Sequence, residues 1–414
     1  YTFDNTDRFV RDTWGYAYEV IYGSNLVINR VGQLETDDDL LKNRIIAEAK
    51  FLRALAYFNL VRFYGDVPLH LEELNDFDNS EALNKPRMSA SIIYDAIIDD
   101  LIFAEEHLYF ASWISDDSKP SYQIDDLGRA TIGAAKGLLA KVYLTRASFP
   151  ERNLDSYQLA FDKAEEIIDD AHYIIDPDYY NLNSLEGKTS HEWMFQIQYS
   201  VIGQQTSNWG GIHNPLNQGA DGRNANDWGY GRVSPTFKFA NSFEDGDLRS
   251  DTCAKGRINA DGSITYIPRS TAWYSHKYRF SSRPLSRFNT DMNAPVLRFA
   301  DIILIYAEAA DRLNIVNQDV YNQLDRILNR AGVTTFENGR IENDLKEFIF
   351  WERARELCFE GHSKFDIVRA GLEKFMFEVK GQEQTNNENN PSATSVVSWS
   401  DNVQAYHLLF PIPC

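Results

Sequence analysis

Residues 40–65 read LLKNRIIAEAKFLRALAYFNLVRFYG and carry the first strong helical pattern of the chain. Apolar side chains recur at steps of three and four, for example at Ala49, Leu52 and Ala56. This spacing places them on one face of an α-helix. Gly65 follows, and glycine is the residue that most often ends a helix. The stretch therefore predicts one long amphipathic helix.

The same periodicity returns on both sides of a long central region. It predicts helices over residues 89–109, 128–148, 156–172, 296–314, 319–331 and 344–361, with a short piece to about residue 371. Small residues are placed where neighbouring helices must approach closely, at Ala54, Ala135, Ala140, Ala307 and Ala310. Helices arriving in pairs predict helix-turn-helix repeats of tetratricopeptide type. The expected fold class is mainly α.

The helical pattern disappears over residues 184–295, which are rich in Gly, Asn, Asp and aromatic residues. A strand is predicted at 193–199 and a β-hairpin around the Asp261-Gly262 turn. We therefore expect one unit in three parts. These are an N-terminal helical scaffold over 1–183, a loop-rich ligand-binding insertion over 184–295, and C-terminal helices with a closing segment over 296–414.

Composition excludes several functional classes. The 414 residues include 41 Lys or Arg and 61 Asp or Glu, which gives a formal net charge of −20 at pH 7. This charge repels a phosphate backbone wherever no basic patch offsets it, and the sequence contains no such patch, so no nucleic-acid partner is expected. The cysteines Cys253, Cys358 and Cys414 lie far apart, without metal-ligand spacing.

Catalytic signatures are absent from the sequence. No HExxH, GxSxG or helix-opening GxGxxG occurs, so neither an enzyme nor a cofactor is predicted. With 61 acidic residues, however, an unrecognised hydrolase stays open. The runs Asp37–Asp39 and Asp99-Asp100 lack the pattern of a calcium loop, and helix N-terminal charge and a solvated face explain them better. A structural cation such as calcium stays possible elsewhere.

Residues 207–232, SNWGGIHNPLNQGADGRNANDWGYGR, place Trp209, Trp228 and Tyr230 among many amide and glycine residues. Sugars are held by flat aromatic rings stacked on their apolar faces and by planar hydrogen-bonding groups around their hydroxyls. We therefore expect at least one of these rings to face a ligand. The alternative is that Trp228 and Tyr230 pack the loop onto the scaffold. Other aromatic residues sit at helical spacing and are expected in the core: Tyr57, Phe58, Phe63, Tyr143, Tyr306 and Trp351.

Two adjoining segments, EAKFLRALAYF at 48–58 and YGDVPL at 64–69, closely resemble the hallmark of SusD/RagB-type proteins. These are surface nutrient-binding lipoproteins of glycan-utilisation systems. Further segments resemble family blocks in the same order, at residues 128–144, 234–249, 297–314, 329–332, 352–366 and 409–413. The resemblance spans nearly the whole chain.

The resemblance implies tetratricopeptide-like helix pairs that carry a loop-rich ligand site without catalytic activity. It also implies capture of a glycan at the cell surface and a partner, the barrel of a TonB-dependent, SusC-like transporter, which the protein covers as a hinged lid. Attachment to the outer membrane is expected through an N-terminal lipid on a cysteine upstream of Tyr1. Some relatives bind peptides, so a peptide-capturing lid is the alternative.

Family binding residues lie in the loop after the hallmark and in the central insertion. On this chain the resemblance points to Asp76, Phe77, Asn79, Asn208, Trp209, Asn226, Trp228, Tyr230, Trp273 and Tyr274. Arginine and lysine residues in or near the insertion, among them Arg223, Arg257 and Lys277, leave open whether the glycan is neutral or anionic.

Overall fold

The structure is a computed structural model that describes residues 4–74, 84–116, 118–200, 206–213, 233, 235–254, 256–258, 264–266, 274–278, 290–378 and 404–413. The chain divides into two compact units. The first contains Tyr1–Asp169, Val368–Met376 and Trp399–Cys414, and the second contains Asp170–Ile367 and Phe377–Ser398. Among the described residues, none of the helices combines the length and apolar composition that a membrane span requires.

The first unit is a series of helices in which each packs against the next. These are α1 (Arg8–Gly32), α2 (Asp39–Tyr64), α3 (Ala90–His107), α4 (Ile132–Ala147) and α5 (Ser156–Asp169). Two short strands, β1 (Val67–Pro68) and β2 (Arg87–Met88), pair antiparallel on either side of the loop that follows α2. The predicted mainly helical fold is confirmed, and four of these five helices match the predicted ones to within a few residues.

Helix α1 was missed, because no helix was predicted before residue 40. Signals for it existed: the Asp7 carboxylate caps its first turn by accepting a hydrogen bond from the amide of Phe9, at 2.8 Å. Val10 and Ile21 are buried on its inner face, and Tyr64 of α2 donates a hydrogen bond to the carbonyl of Val10. N-cap chemistry followed by helical spacing would have identified the helix.

The second unit combines short strands with a C-terminal group of helices. Its elements are α6 (Tyr179–Leu182), β3 (Trp193–Ile197), α7 (Trp209–His213), α8 (Phe237–Ala240), β4 (Cys253–Ala254), β5 (Gly256–Ile258), β6 (Ile264–Tyr266), β7 (Tyr274–Ser275), β8 (Ala294–Arg298), α9 (Phe299–Leu313), α10 (Gln318–Ala331), α11 (Leu345–Glu356) and α12 (Ser363–Arg369). The strands pair antiparallel as β3 with β8, β4 with β7 and β5 with β6.

The strands and helix starts of this unit partly match the expectations. The pair β5–β6 is the predicted hairpin, although its turn at Asp261-Gly262 lies outside the described residues. The helix predicted from residue 296 begins instead at Phe299, because residues 294–298 form β8 and pair with β3. A short apolar run is compatible with a buried strand or with a helix. Here residues 294–298 form a strand because β3 is available to pair with them.

Helix α2 is held by a buried ion pair with α3. Arg53 donates from Nε to Asp100 Oδ2 and from Nη2 to Asp100 Oδ1, both at 2.7 Å, and Lys50 adds a third bond to Oδ1 at 2.8 Å. Arg53 also donates to Asn25 Oδ1 at 2.6 Å, so α1 joins the same cluster. The expectation of a solvated face is therefore wrong for Asp100, which is 3% exposed, and correct for its neighbour Asp99, which is exposed.

Most aromatic residues expected in the core are buried there, at Tyr57, Phe58, Tyr143 and Tyr306. Phe63 and Trp351 are only partly buried, which corrects the expectation for these two. Phe63 stacks on Phe410 of the closing segment, with ring centroids 4.9 Å apart and planes 9° from parallel.

We predict that Asp100→Ala destabilises the protein by about 3–5 kcal/mol, because the guanidinium of Arg53 would stay buried without its counter-charge. The matched control is Asp99→Ala on the same helix turn, for which we expect a change within about 0.5 kcal/mol, as is usual for exposed positions. Chemical denaturation of both variants measures the difference. Equal unfolding free energies for the two variants would contradict this role of Asp100.

Candidate functional site

The loop-rich part of the second unit starts and ends at one strand pair. Strands β3 and β8 lie next to each other, and nearly all of the predicted insertion runs between them along the chain. Trp193 at the start of β3 is buried, and its indole Nε1 donates to the carbonyl of Gly187 at 3.1 Å. The amide of Phe299, which follows β8, donates to the carbonyl of Glu192 at 2.9 Å. Both ends of the insertion are thus fixed at one place.

A buried network of opposite charges lies at this base. It joins five cations to five carboxylates, all at most 8% exposed: Arg249, Lys277, Arg298, Arg330 and Arg355 with Glu192, Asp247, Glu352, Glu356 and Glu360. A buried charge without a partner is very costly. The equal numbers of positive and negative groups are what make so much buried charge tolerable.

Glu356, on the last turn of α11, is the centre of the network. Its carboxylate accepts hydrogen bonds from Arg298 at 2.6 Å, from Arg249 at 2.9 Å and from Arg330. Burial by itself raises the pKa of this carboxyl group, but Arg330, Arg298 and Arg249 outweigh burial and hold the pKa well below its usual range. Glu356 therefore stays ionised in the interior.

Neighbouring cations keep the Glu360 carboxylate ionised in the same way. Burial raises the pKa of Glu360, but Arg298 and Lys277 outweigh burial and lower it to about 2. Lys277 also donates to the backbone carbonyls of Glu356 at 3.1 Å and Cys358 at 3.0 Å. Because Lys277 comes from the loop region and Glu360 follows α11, these bonds fix the base of the loops to a scaffold helix.

The structure describes three of the ten predicted site residues. Asn208 is exposed, and Trp209 follows it at the start of α7. The Trp209 ring centroid lies 4.6 Å from that of His213 and 6.0 Å from that of Tyr278. Tyr274 lies in β7, where its backbone pairs with Ala254. The other seven lie outside the described residues: Asp76, Phe77, Asn79, Asn226, Trp228, Tyr230 and Trp273. The set as a whole stays a prediction.

A cavity of about 520 Å³ lies beside Trp209 within the second unit. The described ring side chains that line it are Trp209, His213, Phe239, Phe350, Trp351 and Phe359. Burial lowers the pKa of His213 to about 4, so its imidazole is neutral at pH 7. The partly buried Trp351, expected in the core, is one wall of this cavity.

The other aromatic residues of the cavity were not among the predicted site residues. Phe350, Trp351 and Ala354 lie at helical spacing on α11, which is the usual pattern of core residues. Phe239 lies in the short helix α8 and Phe359 in the turn after α11, more than one hundred residues apart along the chain. Only packing of α8 near α11 brings them to one cavity.

Among the described residues, no three His, Cys, Asp or Glu side chains are placed to hold a metal ion. The buried carboxylates of the network instead bind arginine and lysine.

We predict that the network makes stability fall in acid. Because the folded pKa of Glu360 is about 2 and the ordinary value is 4.5, its stabilisation is present in full above pH 4.5 and is lost as the pH falls towards 2. Glu360→Gln should be less stable than wild type at pH 7 and should show a smaller loss between pH 4.5 and 2.5. Urea unfolding across this range measures both effects.

The control for this experiment is Glu337→Gln, at an exposed position of the same unit. Its stability should follow the wild-type pH curve. A Glu360→Gln variant that follows the wild-type curve as well would show that Glu360 contributes nothing to the acid sensitivity.

Comparison with known proteins identifies the fold. A family model described as the SusD family matches residues 257–414, and another, described as "Starch-binding associating with outer membrane", matches residues 2–144. The SusD-like protein P2 of Formosa agariphila is 26% identical over 410 residues, which cover 92% of this chain and 76% of that protein.

Solved structures agree with these matches. A SusD superfamily protein from Parabacteroides distasonis is 27% identical, with a TM-score of 0.77, and the similarity covers 99% of this chain and 84% of that one. Surface glycan-binding protein A from Bacteroides thetaiotaomicron, solved in complex with laminarihexaose, is 21% identical, with a TM-score of 0.72 and coverage of 97% and 82%. The two family models match residues 2–144 and 257–414, and the similarity to the Parabacteroides structure covers 99% of this chain. The chain therefore belongs to the SusD/RagB-like family.

Proposed function

We propose that this protein captures a glycan at the cell surface and delivers it, as a lid, to a TonB-dependent, SusC-like transporter in the outer membrane. The observation that carries the proposal is the similarity along nearly the whole chain to SusD-like proteins, one of them solved with laminarihexaose. The match of residues 2–144 to a family described as associating with the outer membrane supports the location. An N-terminal lipid is the proposed anchor.

The residue types of the insertion support a sugar over a peptide. Trp209, Trp228 and Tyr230 offer flat rings, and the amides around them suit hydroxyl groups. A peptide site needs instead backbone groups available for pairing and pockets for side chains. The binding experiment below therefore includes peptides as the competing ligand.

The direct test is calorimetric titration of the purified chain with a panel of neutral and anionic oligosaccharides, including laminarihexaose, and with mixed tetra- to hexapeptides. We expect at least one oligosaccharide to bind, with no new reducing ends after long incubation. Binding of peptides alone would replace the glycan by the peptide alternative.

We predict that Trp228→Ala weakens glycan binding by about 1–3 kcal/mol, which is roughly a 5- to 150-fold loss of affinity, without lowering the melting temperature. The contrasting variant is Trp193→Ala, because Trp193 is buried beside Gly187 and its loss should cost about 3–5 kcal/mol of stability. Titration and thermal melts on both variants separate binding from packing. A Trp228→Ala variant that melts early and binds normally would assign that ring to packing.

We predict that the full-length lipoprotein co-purifies with its transporter barrel from membranes solubilised in a mild detergent. We expect the two proteins to elute together as one complex in size-exclusion chromatography. Recovery of the two proteins in separate fractions, when both are expressed, would contradict delivery as a lid and leave glycan binding intact.

A further inference from the structure

The cavity beside Trp209 has the size and shape of a ligand pocket. Its volume of about 520 Å³ falls within the range of about 300–1,000 Å³ that is usual for small-molecule sites. Its described walls come from α7, α8, α11 and α12, so a ligand would be surrounded by several elements. This enclosure distinguishes the cavity from a flat exposed patch.

The walls contain aromatic rings together with a few groups that can form hydrogen bonds. Two indoles and three phenyl rings line the cavity, from Trp209, Trp351, Phe239, Phe350 and Phe359. Thr236, Ser363 and His213 stand among them. Rings of this kind suit the apolar face of a sugar, and hydroxyl and imidazole groups suit its rim.

The charges around the cavity disfavour an anion. Glu378 in the wall binds Lys238 of α8 at 2.7 Å, and that ammonium also lies 5.0 Å from the Trp351 ring centroid. Asp366 in the wall shares the guanidinium of Arg353 with two more carboxylates, at 3.3 Å from Asp366, 2.9 Å from Asp301 and 3.9 Å from Glu308.

Among the described residues that line the cavity, Asp366 and Glu378 are acidic and Lys364 is basic. Burial lowers the pKa of Lys364 to about 8, so its positive charge is held less firmly than that of an exposed lysine. A uronate or sulfate would therefore enter a region of net negative charge.

From the aromatic walls, the polar side chains among them and the charges that line the cavity, we infer that it is a binding pocket for uncharged sugar rings, which makes the protein selective for neutral glycans. The inference rests on the proposed function, and it names both the place of binding and the class of glycan. It adds Trp351, Phe350 and Ala354 of α11 to the residues that contact ligand.

The test fills the cavity with Ala354→Trp. Ala354 is partly exposed, lies on α11 and lines the cavity, so a larger side chain there takes up ligand space. The control is Asn322→Trp, which adds the same side chain at an exposed position of α10. A second variant, Trp351→Leu, removes one ring plane and keeps an apolar wall, in case Ala354→Trp does not fold.

The probes are laminarihexaose, maltohexaose, cellohexaose and mannohexaose, with hexagalacturonate as the anionic comparison. For the neutral probe that wild type binds most tightly, we expect at least a 10-fold loss of affinity in Ala354→Trp, about a 5-fold loss in Trp351→Leu and no change in Asn322→Trp. Circular dichroism and melting curves confirm that each variant is folded.

Wild-type affinity in folded Ala354→Trp and Trp351→Leu would overturn the cavity as the site, while glycan binding by the protein would stand. Tighter binding of hexagalacturonate than of every neutral probe would overturn the neutral class. If wild type binds none of the sugars, the proposed function fails and the inference fails with it.

Discussion

The interaction on which the second unit depends is the contact between the Glu356 carboxylate and three arginines. Arg298 ends β8, Arg330 lies on α10, and Arg249 lies in the loop region, so one carboxylate joins three parts of the unit. Because these groups are buried, removing any one would leave its partners charged without compensation. Few other arrangements of these strands, helices and loops would keep every charge of the network paired.

This rigidity has a direct consequence for ligand binding. Segments that bind ligands are most useful when a fixed base positions them. Here Arg249 and Lys277 bind to residues of α11 and its C-terminal turn, and they flank the hairpin β5–β6 along the chain. These contacts fix the two ends of the hairpin to the helix. The cavity shares this base, because Phe350, Trp351 and Ala354 are on the same helix as Glu352 and Glu356.

The first unit uses the same principle on a smaller scale. Arg53 joins α1, α2 and α3 through Asn25 and Asp100, and it also donates to the carbonyl of Leu71 at 3.0 Å. Leu71 begins the segment that leads towards residues 76–79, where the resemblance places binding residues. The hallmark helix therefore builds the scaffold and also holds the start of the segment in which the resemblance predicts binding residues.

The sequence by itself determined most of the long helices and the family. Helical spacing is a local property, since residues three and four apart share a face, and caps such as Asp38, which accepts from the amide of Leu41 at 2.9 Å, act within one turn. The hallmark at 48–69 is equally local. Tertiary structure alone decided which charges are buried and which rings form the cavity. Arg249 and Glu352 are 103 residues apart, and Asp99 and Asp100 are adjacent yet one is exposed and the other buried. Pairing between residues so far apart in sequence depends on how the elements pack. The periodicity of the sequence does not predict it.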